Sequence, residues 1–362
     1  MPRRQPLPVI SASAPSTVAA EGASDFFCSR PWTGFEISAE NGSVSMCCWA
    51  KQPYGYVLTQ SVAEIWNGDA IRRMRKQMAT GRFTEICGTD CPYVAGLMTD
   101  VSPHPTSPVF ARNLALNQSE IHRRAERLES LPRYWKIGHS TLCNLDCIMC
   151  YQSRDNPHAL PDSVYRELKN YYAVMQELLL IGGEPMMIPQ IRRVIRELGD
   201  AHPADLGVLL ITNGTVHDAR TLALVARLPL AGVLISVDAA RPETYAQIRR
   251  PGTLGRVLRG IRAWRTVTEP KGVKLKLAFT VMRDNVRELA EFVELAFSER
   301  VDCSFAPVVG TKADQHLIPR DVLQSEVQRA LDMLDRLKTK GEMGMARGTL
   351  RTLERRSTVM FV

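Results

Sequence analysis

The sequence is poor in the features that usually assign a function early. Its 362 residues contain no run of about eighteen apolar residues, so no hydropathic membrane-spanning helix is expected. Histidines number only seven, and no Ser-His-Asp grammar or phosphate-binding glycine loop appears, which sets aside the common hydrolase and nucleotide-triphosphatase plans. Aromatic residues make up only 7%. Basic clusters such as "IRRMRKQM" sit inside helical patterns without interleaved aromatics, so no nucleic-acid partner is expected. No internal repeat is visible. The N-terminus "MPRRQPLPVISASAPSTVAAEGAS" has an arginine pair, but Pro6 and Pro8 interrupt it and no apolar core follows. Residues 1–24 therefore read as a disordered tail, and the protein as cytoplasmic.

What is present is an ordinary globular composition, 45% hydrophobic and 23% charged, in a chain long enough for two units. The net charge of +8 is mainly explained by solvated helix faces, and it leaves room for an acidic or phosphorylated partner. Nine cysteines stand out: Cys28, Cys47, Cys48, Cys87, Cys91, Cys143, Cys147, Cys150 and Cys303. A reducing cytoplasm disfavours disulfides, and short spacings then point to metal ligation.

The pattern divides the chain into a tail at 1–24, a small unit at 25–95, a linker at 96–130, an alternating α/β region at 131–310 and a helical segment at 311–362. In the small unit, "FEIS" and "SVSMCC" flank Asn41-Gly42, a hairpin signal. Ser61 and Glu64 form a capping-box pattern, and Asp69 is expected to cap a second helix ending near Gly81. Beyond 131, "YWKIGHS", "ELLLI", "GVLLIT", "GVLISV", "KLKLAFTVM" and "DCSFAPVV" read as six strands separated by helices, one of them stopped by Gly199. Such alternation implies a parallel sheet or open barrel, with ligands at the strands' C-terminal ends.

"TLCNLDCIMC" follows the first of these strands directly and places Cys143, Cys147 and Cys150 at that end. Three thiolates do not close a tetrahedral zinc site, unless a distant Cys or His completes it. They can hold three irons of a cubane and leave the fourth open. C-x3-C-x2-C in this position resembles the cluster loop of radical S-adenosylmethionine (SAM) enzymes. The resemblance implies an α/β fold, a partial (βα)6 TIM-like barrel preceded by a small α+β iron–sulfur cluster-binding domain. It implies a [4Fe-4S] cluster whose open iron is chelated by S-adenosyl-L-methionine.

Four further stretches carry the resemblance. "IGGEP" implies close cofactor approach at Gly182 and Gly183 and an amino-group contact from Glu184. "ITNGT" makes Thr212 and Asn213 candidates for the nucleoside. In "ISVDAARPETYAQIRRPGTLG", Ser236 and Asp238 would meet the ribose, and Arg249 or Arg250 the methionyl carboxylate. In "FTVMRDN", Met282 or Asn285 would touch cofactor or substrate, with packing the default for Met282. Met149 stands where the family often has an aromatic over the adenine, and its thioether can pack on a ring. His139 and Cys303 read as core residues, although Cys303 could return a hydrogen atom if it faced the barrel interior.

The segment from Cys28 to Cys91 resembles the SPASM and twitch modules, which hold auxiliary iron–sulfur clusters. Here Cys28, Cys87 and Cys91 are implied ligands, with one of Cys47 and Cys48 as the fourth. Neighbours on a strand point to opposite faces, and the sequence reading favours Cys48. Zinc is the bland alternative. The resemblance further implies a flavodoxin- or ferredoxin-type reductant, and a substrate that is a ribosomally made peptide or a small molecule such as a sugar, nucleotide or alcohol. No winged-helix unit for a leader peptide is seen, so a separate recognition protein would supply that grip. A non-catalytic zinc-binding scaffold is the competing class.

Overall fold

The computed structural model describes residues 26–88, 91, 104–150, 152, 157–308, 315–337 and 343–355. The expected tail, Thr89 and Asp90 of "CGTDC", the start of the linker, and the 309–314 boundary lie outside these residues.

All six expected strands form. They are β4 (Tyr134–Gly138), β6 (Glu177–Ile181), β7 (Gly207–Thr212), β8 (Leu230–Ser236), β10 (Lys274–Val281) and β11 (Asp302–Pro307), joined in parallel in the order β4-β6-β7-β8-β10-β11. Between them run helices at Asp162–Leu168, Pro189–Ala201, Ala219–Val225, Pro242–Ile248, Leu254–Thr268 and Leu289–Ser298. One sheet face is apolar and fully covered. Phe279 on β10 meets Phe292 of the last helix, with ring centroids 4.7 Å apart. The other face alternates half-buried residues, among them Leu179, Leu209, Leu234 and Ala278, and forms the inner wall of a partial barrel.

The small N-terminal unit is not a separate body. Its hairpin, β1 (Gly34–Ile37) and β2 (Ser43–Ser45), turns at Gly42 with φ 68°, as Asn-Gly leads one to expect. A short third strand, β3 (Gly55–Tyr56), follows. Strand β1 then pairs in parallel with β4, with Phe35 opposite Trp135, so one sheet of nine strands runs from β11 to β3. Phe35 and Trp135 pack 4.6 Å apart, and Trp135 reaches Tyr171.

The segment read as a linker is stitched to the N-terminal unit. A helix at Pro108–His122 opens it. Beyond it, Ala125, Leu128 and Ser130 accept hydrogen bonds from Trp32, Asn67 and Trp66. The buried Arg75 donates to the carbonyls of Pro31, Trp66 and Glu126. A guanidinium carries five donors, and three backbone oxygens from separate segments satisfy most of them.

Three local expectations are corrected. Ser61 and Glu64 do form the capping box. Asp69, however, is the first residue of the helix Asp69–Ala79, behind an N-cap Gly68, so it complements the helix dipole instead of capping. Gly199 does not stop its helix, which ends with His202 in the left-handed conformation. A Cβ at Gly199 would lie 2.9 Å from the Arg227 side chain, so the glycine is there for helix packing. Val164, Leu168, Tyr171, Tyr172 and Met175 recur at helical spacing and lead one to expect a single helix, but the helix Asp162–Leu168 turns 3-10 at Lys169–Val174.

Candidate active site

The three-cysteine loop leaves β4 at its C-terminal end, and Cys143, Cys147 and Cys150 are all half-buried. Two devices hold it. First, Asp146–Cys147 (β5) pairs antiparallel with Arg249–Arg250 (β9), setting Cys147 opposite Arg249. Second, the turn after β6 is sewn to the loop through backbone: Glu184 N–H donates to Leu142 O at 2.8 Å. Gly183 has φ 48°, and a Cβ there would lie 1.9 Å from Leu142 O. Gly182 has φ 104°, and its Cβ would lie 2.9 Å from Ser140 O. Both glycines thus permit the cluster loop itself to approach.

Glu184 is completely buried. Its carboxylate accepts from Thr212 Oγ1 at 2.7 Å, Asn213 N at 2.8 Å and Met186 N at 3.2 Å. Burial raises its pKa, and these donors oppose the rise. Thr212 is tied to that carboxylate. Asn213, 6% exposed, turns its side-chain amide to Asn144 Oδ1 at 2.8 Å and to Cys143 Sγ at 3.8 Å.

Asp238 and Arg249, expected to face different parts of the cofactor, face each other. Arg249 Nε donates to Asp238 Oδ2 at 2.8 Å, Nη2 reaches the same oxygen, and Nη1 lies 3.7 Å from Cys147 Sγ. Asp238 Oδ1 accepts from Thr280 N at 2.6 Å, and Asp238 itself has φ 62°, a left-handed conformation that few non-glycine residues adopt. Burial works against the Arg249 charge, but the adjacent carboxylate overrides it and holds the guanidinium above its ordinary value. Asn285, another candidate, is a backbone staple. It bonds the carbonyls of Asp238 and Thr280 and the amide of Met282. Ser236 ends β8 half-buried, on the same face as Leu234.

Met149 packs with Ile148, Ile248, Met282 and Val308 in a small apolar cluster apart from the main core. Ile248 and Val308 gave no signal in the sequence, because each looks like an ordinary helix or strand end. His139 is buried, its Nδ1 3.0 Å from Tyr165 Oη, and burial lowers its pKa to about 3. Cys303 is fully buried on the face it shares with Phe305, which packs on Phe292 of the helical layer. It therefore points away from the inner wall.

The second cysteine group lines a cavity of about 150 Å³ that also touches Glu36, Lys136, Glu177 and Leu179 on the inner wall. An isolated bridge between Ala50 and Cys87 brings 47–51 beside 86–88. Cys87 and Cys91 are buried, Cys28 and Cys47 half-buried, and Cys48 exposed. Burial pushes the Cys47 and Cys87 thiols up to about 12.

Neither group behaves as a cage around one ion. Among the described residues, no three His, Cys, Asp or Glu side chains converge on a single metal position. A cubane, with each iron taking its own cysteine, does not require such convergence. The donors at the loop also fit metal-bound thiolates. Leu145 N, Asn213 Nδ2 and Arg249 Nη1 all aim at cysteine sulfur.

Comparison with known proteins agrees. Residues 137–296 match the model of the radical SAM superfamily, and residues 28–92 match the SPASM iron–sulfur cluster-binding domain. An AdoMet-dependent heme synthase of Methanosarcina barkeri is 31% identical over 163 residues, 42% of this chain and 44% of the relative. A GTP 3',8-cyclase of Synechocystis is 26% identical over 205 residues, 54% of this chain and 59% of the relative. The chain spans about half the length of the curated relatives it matches. Among solved structures, Streptococcus suis SuiB bound to precursor peptide SuiA aligns with TM-score 0.50 and 15% identity, covering 76% of this chain and 62% of that one.

The partial barrel thus carries a three-cysteine loop at its strand ends and a second cysteine pocket on the same sheet. Residues 137–296 are a radical SAM domain and residues 28–92 an N-terminal SPASM domain. The chain's cofactors are a [4Fe-4S] cluster, S-adenosyl-L-methionine and auxiliary iron–sulfur. Among the described residues, no helix is long and apolar enough to cross a membrane.

Proposed function

We propose that this enzyme abstracts hydrogen from a C–H bond of a ribosomally made peptide. The observation that carries the reading is a continuous inner wall joining the two cysteine sites. Glu36, Lys136, Leu179 and Leu209 are successive cross-strand neighbours, and the first three also line the N-terminal cysteine cavity. The wall continues through Leu234 to Ser236, Ala278 and Ser304. Such a strip suits an extended substrate better than a compact one. SuiB, whose structure includes a precursor peptide, shares the fold.

Cys143, Cys147 and Cys150 would hold the radical cluster, which with SAM bound would supply one-electron reductive cleavage chemistry. The chain's own work is to position and exclude. The Gly182-Gly183-Glu184 turn fixes the cluster loop. Met149, with Ile248, Met282 and Val308, offers an apolar bed for the adenine. Ser236, half-buried at the end of β8, would meet the ribose from the wall. Asp238 acts by holding Arg249, since both of its oxygens are engaged within the protein. In the N-terminal pocket, Cys28, Cys87 and Cys91 are joined by Cys47, which lies half-buried within the electrostatic reach of Cys28 and Cys87. A flavodoxin- or ferredoxin-type protein supplies the electron, and a separate protein recognises the leader.

The test is anaerobic reconstitution followed by incubation with SAM, dithionite and synthetic peptides encoded beside the gene. The reading expects about eight irons per chain from two cubanes, 5′-deoxyadenosine, and a peptide lighter by two hydrogens or crosslinked. Turnover of nucleotides, sugars or alcohols with no peptide modified would favour a small-molecule substrate, the reading supported by the heme synthase and GTP cyclase relatives. Colourless protein with stoichiometric zinc would leave only the scaffold.

A further inference from the structure

We propose that Asn213 and Arg249 donate hydrogen bonds to the sulfur atoms of Cys143 and Cys147 and thereby set the reduction potential of the radical cluster. This rests on the reading that those cysteines hold it.

Both residues are buried, each 6% exposed, and both are aimed by neighbouring side chains. Asn213 Oδ1 accepts from Thr215 N at 2.9 Å and from Thr215 Oγ1 at 2.7 Å. Its Nδ2 is thereby directed at Asn144 Oδ1 and at Cys143 Sγ, 3.8 Å away. Asn144 Nδ2 returns to Thr215 Oγ1 at 2.8 Å, closing a small ring of amides and hydroxyl at the end of β7. The second donor comes from β9, which follows the neighbouring strand β8 and its helix. Asp238 occupies Arg249 Nε and Nη2, which leaves Nη1 directed at Cys147 Sγ, 3.7 Å away. Asp238 is held in turn by Thr280 N, and its carbonyl by Asn285 Nδ2 at 2.9 Å. Two strands thus send an anchored N–H to two different cysteines of one loop.

Reduction adds one electron to the cluster, and part of that charge falls on the cysteine sulfurs. A donor aimed at sulfur, and a cation more so, stabilises the reduced state over the oxidised one. The outer groups around a metal site tune it in this way without ligating it. Asn213 and Arg249 then keep the cluster's potential less negative than the loop alone would set it, and Asp238 and Thr215 act as positioning residues.

The test is an EPR-monitored titration of the reconstituted holoenzyme with dithionite, without SAM, so that cofactor binding does not contribute. Asn213→Ala and Arg249→Met are each expected to lower the reduced-to-oxidised ratio at fixed potential severalfold. About tenfold corresponds to 59 mV for a one-electron couple. Asp238→Asn removes a neighbouring anion while loosening the aim of Arg249, two opposed effects, so it is expected to move the ratio less than either primary variant. The auxiliary cluster in the same chain is the internal reference and stays where it was. Normal iron content with an unmoved radical-cluster potential in both primary variants overturns the proposal. Loss of the radical cluster from both, with the auxiliary signal intact, overturns it as well and makes the two residues structural. A wild-type protein with no cluster at Cys143, Cys147 and Cys150 overturns the underlying reading instead.

Discussion

The two cysteine sites share one sheet and are built by opposite means. The loop after β4 is short, its cysteines all half-buried, and it is fixed by backbone contacts that leave no room for a Cβ at Gly182 or Gly183. The N-terminal pocket gathers cysteines from residue 28 to residue 91, and its walls are supplied by β1, β4 and β6. The first site is local in sequence and rigid in space. The second is dispersed in sequence and exists only because a hairpin adds to the barrel edge. A site that must keep one coordination position open needs ligands that cannot rearrange to close it. A site closed by its own cysteines tolerates assembly from distant parts.

The sharpest break of this comparison is Cys147→Ala. The variant is expected to lose 5′-deoxyadenosine formation completely, while iron falls by about four per chain, one cubane's worth. Iron analysis and product chromatography read both. If the two sites are independent, the auxiliary signal survives; loss of all iron would show that they assemble as one.

Next in size is the rigidity of the loop. Gly183→Ala places a methyl 1.9 Å from Leu142 O at a residue with φ 48°. It is expected to cost about 3 kcal/mol or more and to displace the cluster loop. Gly272 provides the control, with φ 64° and nothing within 4 Å of an added Cβ. There alanine is expected to cost about 1–2 kcal/mol, the backbone term alone. Chemical denaturation of both variants checks the difference. Equal losses would mean that Leu142 yields, and that the loop is softer than its contacts imply.

The contrast also explains what the sequence could show. The three-cysteine loop, the turn after β6 and all six barrel strands were legible because each is written within a dozen residues, in spacing or in apolar alternation. The parallel pairing of β1 with β4 was not. It joins segments about a hundred residues apart, and a parallel partner leaves no turn signature. The contact between Asp238 and Arg249 was not legible for a related reason. Both residues were picked out, but their mutual contact depends on how β9 folds back onto the cluster loop. Likewise Ile248 and Val308 look like any apolar residues until the fold brings them to Met149.

A smaller effect separates the adjacent cysteines of the N-terminal pocket. Cys47→Ser is expected to lower auxiliary iron sharply and Cys48→Ser to leave it nearly unchanged, because Cys47 is the more buried and is coupled electrostatically to Cys28 and Cys87. Iron content and the auxiliary EPR signal decide between them. The reverse outcome would restore the choice favoured by the sequence alone, and would place the cluster nearer the inner wall, where Lys136 adjoins Cys48.

The smallest expected effect concerns the base of the cluster loop. His139 stands one residue past β4, stacked on Tyr165, and burial lowers its pKa to about 3 from an ordinary value near 6.5. In the folded protein it stays neutral where the unfolded chain would protonate it. Its contribution to stability is therefore whole above about pH 6.5 and is lost progressively as the pH falls toward 3. The slope from one such group approaches about 1.4 kcal/mol per pH unit once the unfolded chain is fully protonated at this site. Denaturation of wild type and His139→Phe across pH 7 to 5 isolates it, since acid lability of the clusters is common to both. Wild type is expected to lose stability more steeply than the variant over that window, whatever their difference at pH 7. Parallel slopes would mean that water reaches the imidazole, and that the strand end beneath the loop opens more readily than the glycine contacts above it.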